Sequence, residues 1–276
     1  MKVTLWGTRG SLPTPGSRTT RYGGNTSCVE VRTSPRSTIV LDAGTGIRDL
    51  GAALDRDLER VDILLTHLHM DHIIGLGFFE PLFRPGLEVH LWGPASAISD
   101  LRGRLSRYLS PPLFPVGLRD IPSRLTLHDL PIGTFEVPGA EVTSDLVCHP
   151  GPTLGLRLTD GRRSLAYMPD HEPALGVPDF PSAARWTSGY ALAADVDLLV
   201  HDAQYFDDEY PRHVGWGHSA VSHAVAFAEL ARARMLVAFH HDPGHDDEAL
   251  DRAYSDIPAD RVVPARERET FDLLAV

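Results

Sequence analysis

The sequence predicts an α/β fold, a mixed sandwich with sheets inside and helices outside. Three observations carry that expectation. Short apolar runs recur along the chain and end in Gly, Pro, Asp or His, as strands do. The early runs follow one another through turns, whereas the later ones alternate with helical patterns. No repeat, low-complexity tract or linker divides the 276 residues, so one domain over 1–276 is expected.

In chain order, strands are expected at 2–6, 27–32, 38–41, 61–66, 87–92, 142–148, 153–158, 164–168, 196–200 and 235–239. A helix is expected over 47–58, where Ile47, Leu50, Leu54 and Leu58 share one face. A second, over 219–232, is Ala-rich and carries Val221, Val225 and Leu230; a third spans 246–254, and 94–109 is a weaker candidate. Gly and Pro gather at strand ends, in 7–16, 23–24, 44–46 and 169–181. Such loops are connectors or the rim of a site on a rigid scaffold.

Composition narrows the function. At 42% hydrophobic and 23% charged residues, the chain can build a substantial core and is not disordered. Lys plus Arg number 26 against 37 Asp plus Glu, a net charge of −11 that disfavours long nucleic acid as a partner. No apolar run approaches the roughly 20 residues that span a bilayer. Gly7 and Arg9 interrupt the place where a signal peptide needs its apolar stretch. Cys28 and Cys148 cannot form a multi-disulfide framework. A soluble cytoplasmic protein is expected, with no membrane partner; a homodimer is allowed but nothing specifies one.

Histidine stands out. The 14 histidines fall largely in clusters, at 67/69/72, 213/218/223 and 240/241/245, with others at 149, 171 and 201. The strongest signal is Thr66-His67-Leu68-His69-Met70-Asp71-His72, where an apolar strand runs directly into three imidazoles and a carboxylate. His67 and His69, two apart, can face one metal from an extended backbone. Asp71 and His72, on the following turn, can face a second. Imidazole and carboxylate at this density suit Zn²⁺, with manganese or iron as alternatives.

This segment resembles the signature H-x-H-x-D-H of the metallo-β-lactamase superfamily, and the resemblance extends over nearly the whole chain. Leu41-Asp42-Ala43-Gly44 looks like the family's first motif, an Asp that closes a strand and braces the ligand loop. His149, Asp170 and His240, each closing an apolar run, look like the family's remaining ligands. The resemblance implies an αββα four-layer sandwich and a dinuclear centre. His67, His69 and His149 would hold one ion, Asp71, His72 and His240 the other, and Asp170 would bridge. A hydroxide between two such ions would be the nucleophile, since two Lewis acids bring the pKa of a bound water near neutrality. His240 is preferred to His241 because the strand ends there. His171 reads as a loop residue or a support to the ligands, His90 and His128 as structural, and His245, after a Pro-Gly turn, as a solvated surface residue.

Two further segments narrow the branch. Leu198-Leu199-Val200-His201-Asp202-Ala203 resembles the His-Glu-Ala-Thr segment of the ribonuclease Z-like phosphodiesterases, with Asp202 in place of Glu. Gly217-His218-Ser219 resembles their Gly-His-Ser-Thr segment. In that branch the acid–histidine pair lies beside the metals and protonates the leaving oxygen, so Asp202 and His218, with Asp71, are the candidate catalytic residues. The plainer alternative is that Ser219 caps the helix and His218 merely flanks it. Ribonuclease Z carries a tRNA-binding arm before its bridging Asp, and the 21 positions from His149 to Asp170 already read as two strands. The segments Trp6-Gly7-Thr8-Arg9-Gly10-Ser11 and Tyr22-Gly23-Gly24-Asn25-Thr26-Ser27-Cys28 look like those of uncharacterised bacterial hydrolases and cyclic-phosphate phosphodiesterases. A small or cyclic phosphodiester is therefore the expected substrate. A thioesterase- or lactonase-like hydrolase and a tRNA 3′-processing endonuclease are the alternatives. Between 75 and 126, Phe78, Phe79, Phe83 and Phe114 with Arg102, Arg104, Arg107, Arg119 and Arg124 could stack on a base and hold a phosphate, or form an amphipathic helix with a solvated basic face.

Overall fold

The computed structural model describes residues 1–175, 180 and 183–274, so the Gly- and Pro-rich stretch 169–181 falls partly outside the described residues. Among the described residues the strands form two seven-stranded sheets. The first contains β1 (Lys2–Gly7), β2 (Cys28–Arg32), β3 (Ser37–Leu41), β4 (Arg60–Leu64), β5 (Glu88–Pro94) and β6 (Arg124–Leu130), with β14 (Thr270–Asp272) beside β1. The second runs β13 (Val262–Pro264), β12 (Leu236–Phe239), β11 (Leu198–Asp202), β10 (Ser164–Met168), β9 (Leu154–Thr159), β8 (Ala140–Leu146), β7 (Gly133–Val137). Strands β3 to β6 are parallel, as are β10 to β13, and antiparallel strands complete each sheet.

Side-chain alternation makes the layers. On β10, Leu165 and Tyr167 enter the core between the sheets, while Ala166 and Met168 face the outer layer. On β3, Ile39 and Leu41 face inward and Val40 outward. Both faces of these strands are buried, which is why they read as continuous apolar runs. Outside the first sheet pack α1 (Ile47–Ala53) and α3 (Leu101–Leu105); outside the second pack α4 (Tyr190–Ala193), α5 (Val221–Ala231) and α6 (Asp247–Tyr254). The order helix, sheet, sheet, helix is the αββα sandwich. No helix among the described residues is long and apolar enough to cross a membrane.

Some elements differ from expectation. The helix expected over 47–58 stops at Ala53: Leu54 turns extended at ψ 138°, yet Leu54 and Leu58 still bury against the sheet. The 94–109 helix shrinks to α3, because Asp100 caps it by accepting from the Gly103 amide at 2.7 Å and Pro94 belongs to β5. Strands β6 and β7 escape a search for apolar runs because their side chains are largely exposed or half-buried, and β13 and β14 are only three residues each.

One buried cation ties the loops at the strand ends together. Arg9, fully buried, donates from Nε to the Gly23 carbonyl at 2.7 Å, and from Nη1 to the carbonyls of His245 at 2.5 Å and Asp242 at 3.2 Å. Arg9→Met would leave three buried acceptors without donors, at a cost of about 2–4 kcal/mol. A urea midpoint lowered at unchanged m is expected; an unaltered midpoint would contradict this role.

Candidate metal centre

Strands of both sheets, parallel ones except for β8, deliver their C-terminal ends to one region. After β4, Thr66 is fixed by Asp42: the Thr66 amide donates to Asp42 Oδ1 at 2.8 Å, and its hydroxyl donates to the same carboxylate. His69 is still extended at φ −66°, ψ 152°, and the chain then turns into α2 (Met70–Ile73), which carries Asp71 and His72. His67 and His69 therefore project from extended backbone and Asp71 and His72 from a turn. His149 follows β8, Asp170 follows β10 and His240 follows β12, with His240 in the left-handed region at φ 65°.

These residues form two overlapping groups. The donor atoms of His67, His69, His149 and Asp170 lie within 4.8 Å of one another, as do those of Asp71, His72 and His240. Asp170 stands between them. Its Oδ2 is 3.6 Å from His67 Nε2 and 3.5 Å from His149 Nε2, and its Oδ1 is 3.0 Å from His72 Nε2 and 3.3 Å from His240 Nε2. Asp71 Oδ2 is 3.2 Å from both His72 Nε2 and His240 Nε2, and it also accepts the Ser11 amide at 2.8 Å.

The tautomers test whether this set fits cations. His149 Nδ1 lies 2.8 Å from the Gly217 carbonyl, which can only accept, so that nitrogen carries the proton. His72 Nδ1 likewise donates to Asp42 at 2.8 Å, and His240 Nδ1 to Gln204 Oε1 at 3.0 Å. The Gln204 amide is oriented by donating from Nε2 to Asp242 at 3.2 Å. Thr66 gives its hydroxyl proton to Asp42, so it accepts from His67 Nδ1 at 3.0 Å. The Nε2 atoms of these four rings thus turn inward, bare wherever the ring is neutral. Burial alone would lower His72, but Asp170, Asp71 and Asp42 hold it well above the ordinary imidazole value, so a proton there supplies positive charge when no cation does. His72 and His240 Nε2 face one another at 3.3 Å, and buried His67 Nε2 has no hydrogen-bond partner. Lone pairs set against lone pairs and carboxylates fit divalent metal ions. Burial lowers His67, His149 and His69, favouring the neutral form that ligates. Burial alone would raise the Asp170 carboxyl, but His240, His72 and His67 hold it well below the usual range.

His218 lies beside this cluster, with a ring nitrogen within 4.8 Å of Asp170 and His240 donor atoms and its ring stacked on His240. Its Nδ1 is 2.6 Å from Asp202 Oδ2. Asp202 is fully buried and also accepts the amides of Ser219, Gln204 and His171. Burial disfavours the imidazolium, but the charge and hydrogen bond of Asp202 push His218 up to about 9. Ser219 does not cap α5: its hydroxyl donates to the His171 carbonyl at 2.7 Å, and the capping position is Ala220.

The other histidines separate cleanly. His241 donates from Nε2 to the Ala265 carbonyl, away from the cluster, and burial lowers it to about 3. His171 and His201 pair with each other at 2.9 Å, as do His90 and His128. His245 is not a solvated surface residue, as expected from the Pro-Gly turn. That turn folds it back, 6% exposed, to stack on Phe206 and pair with Glu209 at 2.9 Å. Sequence reasoning missed Gln204, Tyr167 and Glu172, whose partners lie far away along the chain. A recess of about 420 Å³ opens beside His67 and His69, walled by Leu68, Met70, Ile73 and Pro150, and Arg107 and Tyr108 of the 75–126 segment reach it. Phe79 is core, and the segment is short helical turns around strand β5 and helix α3 rather than one amphipathic helix.

A profile described as "Beta-lactamase superfamily domain" matches residues 37–241, which include every residue of both clusters. The chain belongs to the beta-lactamase superfamily. A ribonuclease Z of Myxococcus xanthus is 28% identical over 229 residues, 67% of this chain and 71% of that protein. The uncharacterised protein Mb1374 of Mycobacterium bovis is 33% identical over 220 residues, 74% of each chain. The metallo-β-lactamase fold protein YhfI of Bacillus subtilis superposes with a TM-score of 0.71 over 98% of each chain at 17% identity, a likeness of fold. The chain is a hydrolase of the metallo-β-lactamase fold, related to ribonuclease Z. The expectation that long nucleic acid is disfavoured gains no support from such a relative.

Gln204→Leu removes the acceptor that fixes the His240 tautomer while roughly keeping volume. Affinity for one of two bound ions is expected to fall about 10–100-fold with the other unchanged. Competition against a chromophoric chelator checks this; equal weakening of both ions, or of neither, would contradict it.

Proposed function

We propose that this protein is a dinuclear zinc phosphodiesterase acting on small or cyclic phosphodiesters in the cytoplasm. The ligands in this reading are His67, His69 and His149 for one ion, Asp71, His72 and His240 for the other, and Asp170 between them, with manganese or iron as substitutes. When bound, the ions supply Lewis acidity toward a phosphoryl oxygen and lower the pKa of a water. The chain's own residues do the rest. Asp71, held by the Ser11 amide, fixes the turn that carries His72. Asp202 accepts from His218 Nδ1, orients the ring and keeps it protonated, so that Nε2–H is available to a departing oxygen.

The observation that carries the reading is the Asp202–His218 pair at 2.6 Å, set against His240. A thioesterase, whose thiolate leaves as a stable anion, does not require this acid. The small-substrate preference rests on the interval from His149 to Asp170. There β9 and β10 are joined by a turn over 160–163, in which Asp160 accepts the amides of Arg162 and Arg163, and this leaves no room for an inserted arm. The net charge of −11 also favours a small anion over a polyanion. Cleavage of precursor tRNA is the competing reading, favoured by the ribonuclease Z relative.

The test separates leaving groups. An alkoxide needs a proton as it departs; p-nitrophenolate, a stable anion, hardly does. His218→Ala is expected to lower kcat by about 10²–10⁴-fold on a diester with a sugar or alkyl leaving group, and far less on a p-nitrophenyl diester. Metal content should not change. Asp202→Asn should show the same selectivity in weaker form. Equal losses on both substrates would contradict the acid role, and faster cleavage of precursor tRNA than of any small diester would overturn the substrate class.

A further inference from the structure

Trp216 is 60% exposed, two residues before His218. A single exposed ring is unremarkable. What sets this one apart is how its backbone is held. Glu172, fully buried, has no cationic partner among the described residues. It accepts the Gly215 amide at 2.8 Å and the Gly217 amide at 2.7 Å, the residues on either side of Trp216, and the Tyr210 hydroxyl at 2.9 Å. Both glycines lie at positive φ, 88° and 90°, and a Cβ on Gly217 would fall 2.3 Å from His149 Nδ1. The Gly217 carbonyl accepts from that same His149 Nδ1.

The ring is also continuous with the catalytic pair. Trp216 meets His213 edge-on at 4.9 Å, His213 stacks on Tyr205 at 4.3 Å, and Tyr205 meets His218 at 5.9 Å. A buried carboxylate is a costly way to hold a solvent-exposed loop unless the loop's position matters. We propose that Trp216 is a stacking platform for a planar heteroaromatic group, such as a nucleobase, on the leaving side of the diester, and that Glu172 is its positioning residue. This deepens the phosphodiesterase reading and rests on it, because His218 defines the leaving side.

The experiment uses the zinc-loaded full-length protein and two phosphates that differ in the ring: adenosine 5′-monophosphate and ribose 5-phosphate. Wild type is expected to bind the nucleotide about 5- to 100-fold more tightly, the range of one base stacked on one aromatic ring. Trp216→Ala should erase that preference and leave ribose 5-phosphate affinity and zinc content unchanged, whereas Trp216→Phe should retain most of it. The nucleotide should also quench tryptophan fluorescence in wild type and not in Trp216→Phe. Glu172→Gln strands one of the two glycine amides, so it should reduce the nucleotide preference while the thermal transition stays cooperative. Equal affinities in wild type, binding of neither phosphate, or a preference untouched by Trp216→Ala would overturn the platform. Turnover of small diesters is scored separately. Its absence contradicts the phosphodiesterase reading and leaves the binding comparison, which needs no turnover, to decide the platform.

Discussion

Ring nitrogens and carboxylates aimed at one another are the constraint on which the rest of this molecule depends. Each of His67, His72, His149 and His240 commits its Nδ1 proton to an acceptor behind it, and each therefore turns its Nε2 to the neighbourhood of Asp170. Buried acceptors facing acceptors and carboxylates are expensive unless a cation lies among them. The outer network reads as the device that enforces this. Asp42 alone accepts from Thr66, His72 and Tyr167, and its own backbone sits at φ 58°, a conformation that aims its carboxylate back across the strand ends.

The two sheets share that device. Asp42 closes β3 of the first sheet, while Tyr167 comes from β10 of the second, and their hydrogen bond of 3.0 Å crosses the core between them. The centre is thus assembled at the C-terminal ends of strands in both sheets, parallel ones except for β8, and Leu41, Tyr167 and Phe239 pack between the sheets behind those ends. The acid–histidine pair follows the same logic. Asp202 ends β11, the parallel neighbour of both β10 and β12, so it arrives between Asp170 and His240 without a further loop.

The sequence made some of this legible and hid the rest for physical reasons. His67, His69, Asp71 and His72 could be read because one strand and one turn carry all four, and strand periodicity is local. Asp170, His149, His240 and the Asp202–His218 pair needed the family resemblance, since nothing in a lone residue at a strand end says which others it will meet. Gln204 and Glu172 were invisible: Glu172 matters only through amides 43 and 45 residues away, and Gln204 only through an imidazole 36 residues on. His245 misled because a Pro-Gly turn marks a change of direction and not its sense. The layers were legible in the buried strands, while β6 and β7 were lost because half-exposed strands dilute the apolar signal.

The measurement that tests the account most directly is the anomalous scattering of zinc in crystals of the zinc-loaded protein. Two peaks are expected, one among His67, His69 and His149 and one among Asp71, His72 and His240, each at roughly 2.0–2.2 Å from a different oxygen of Asp170. His218 should lie outside both coordination spheres. A single peak, or a peak ligated by His218 in place of His240, would contradict it.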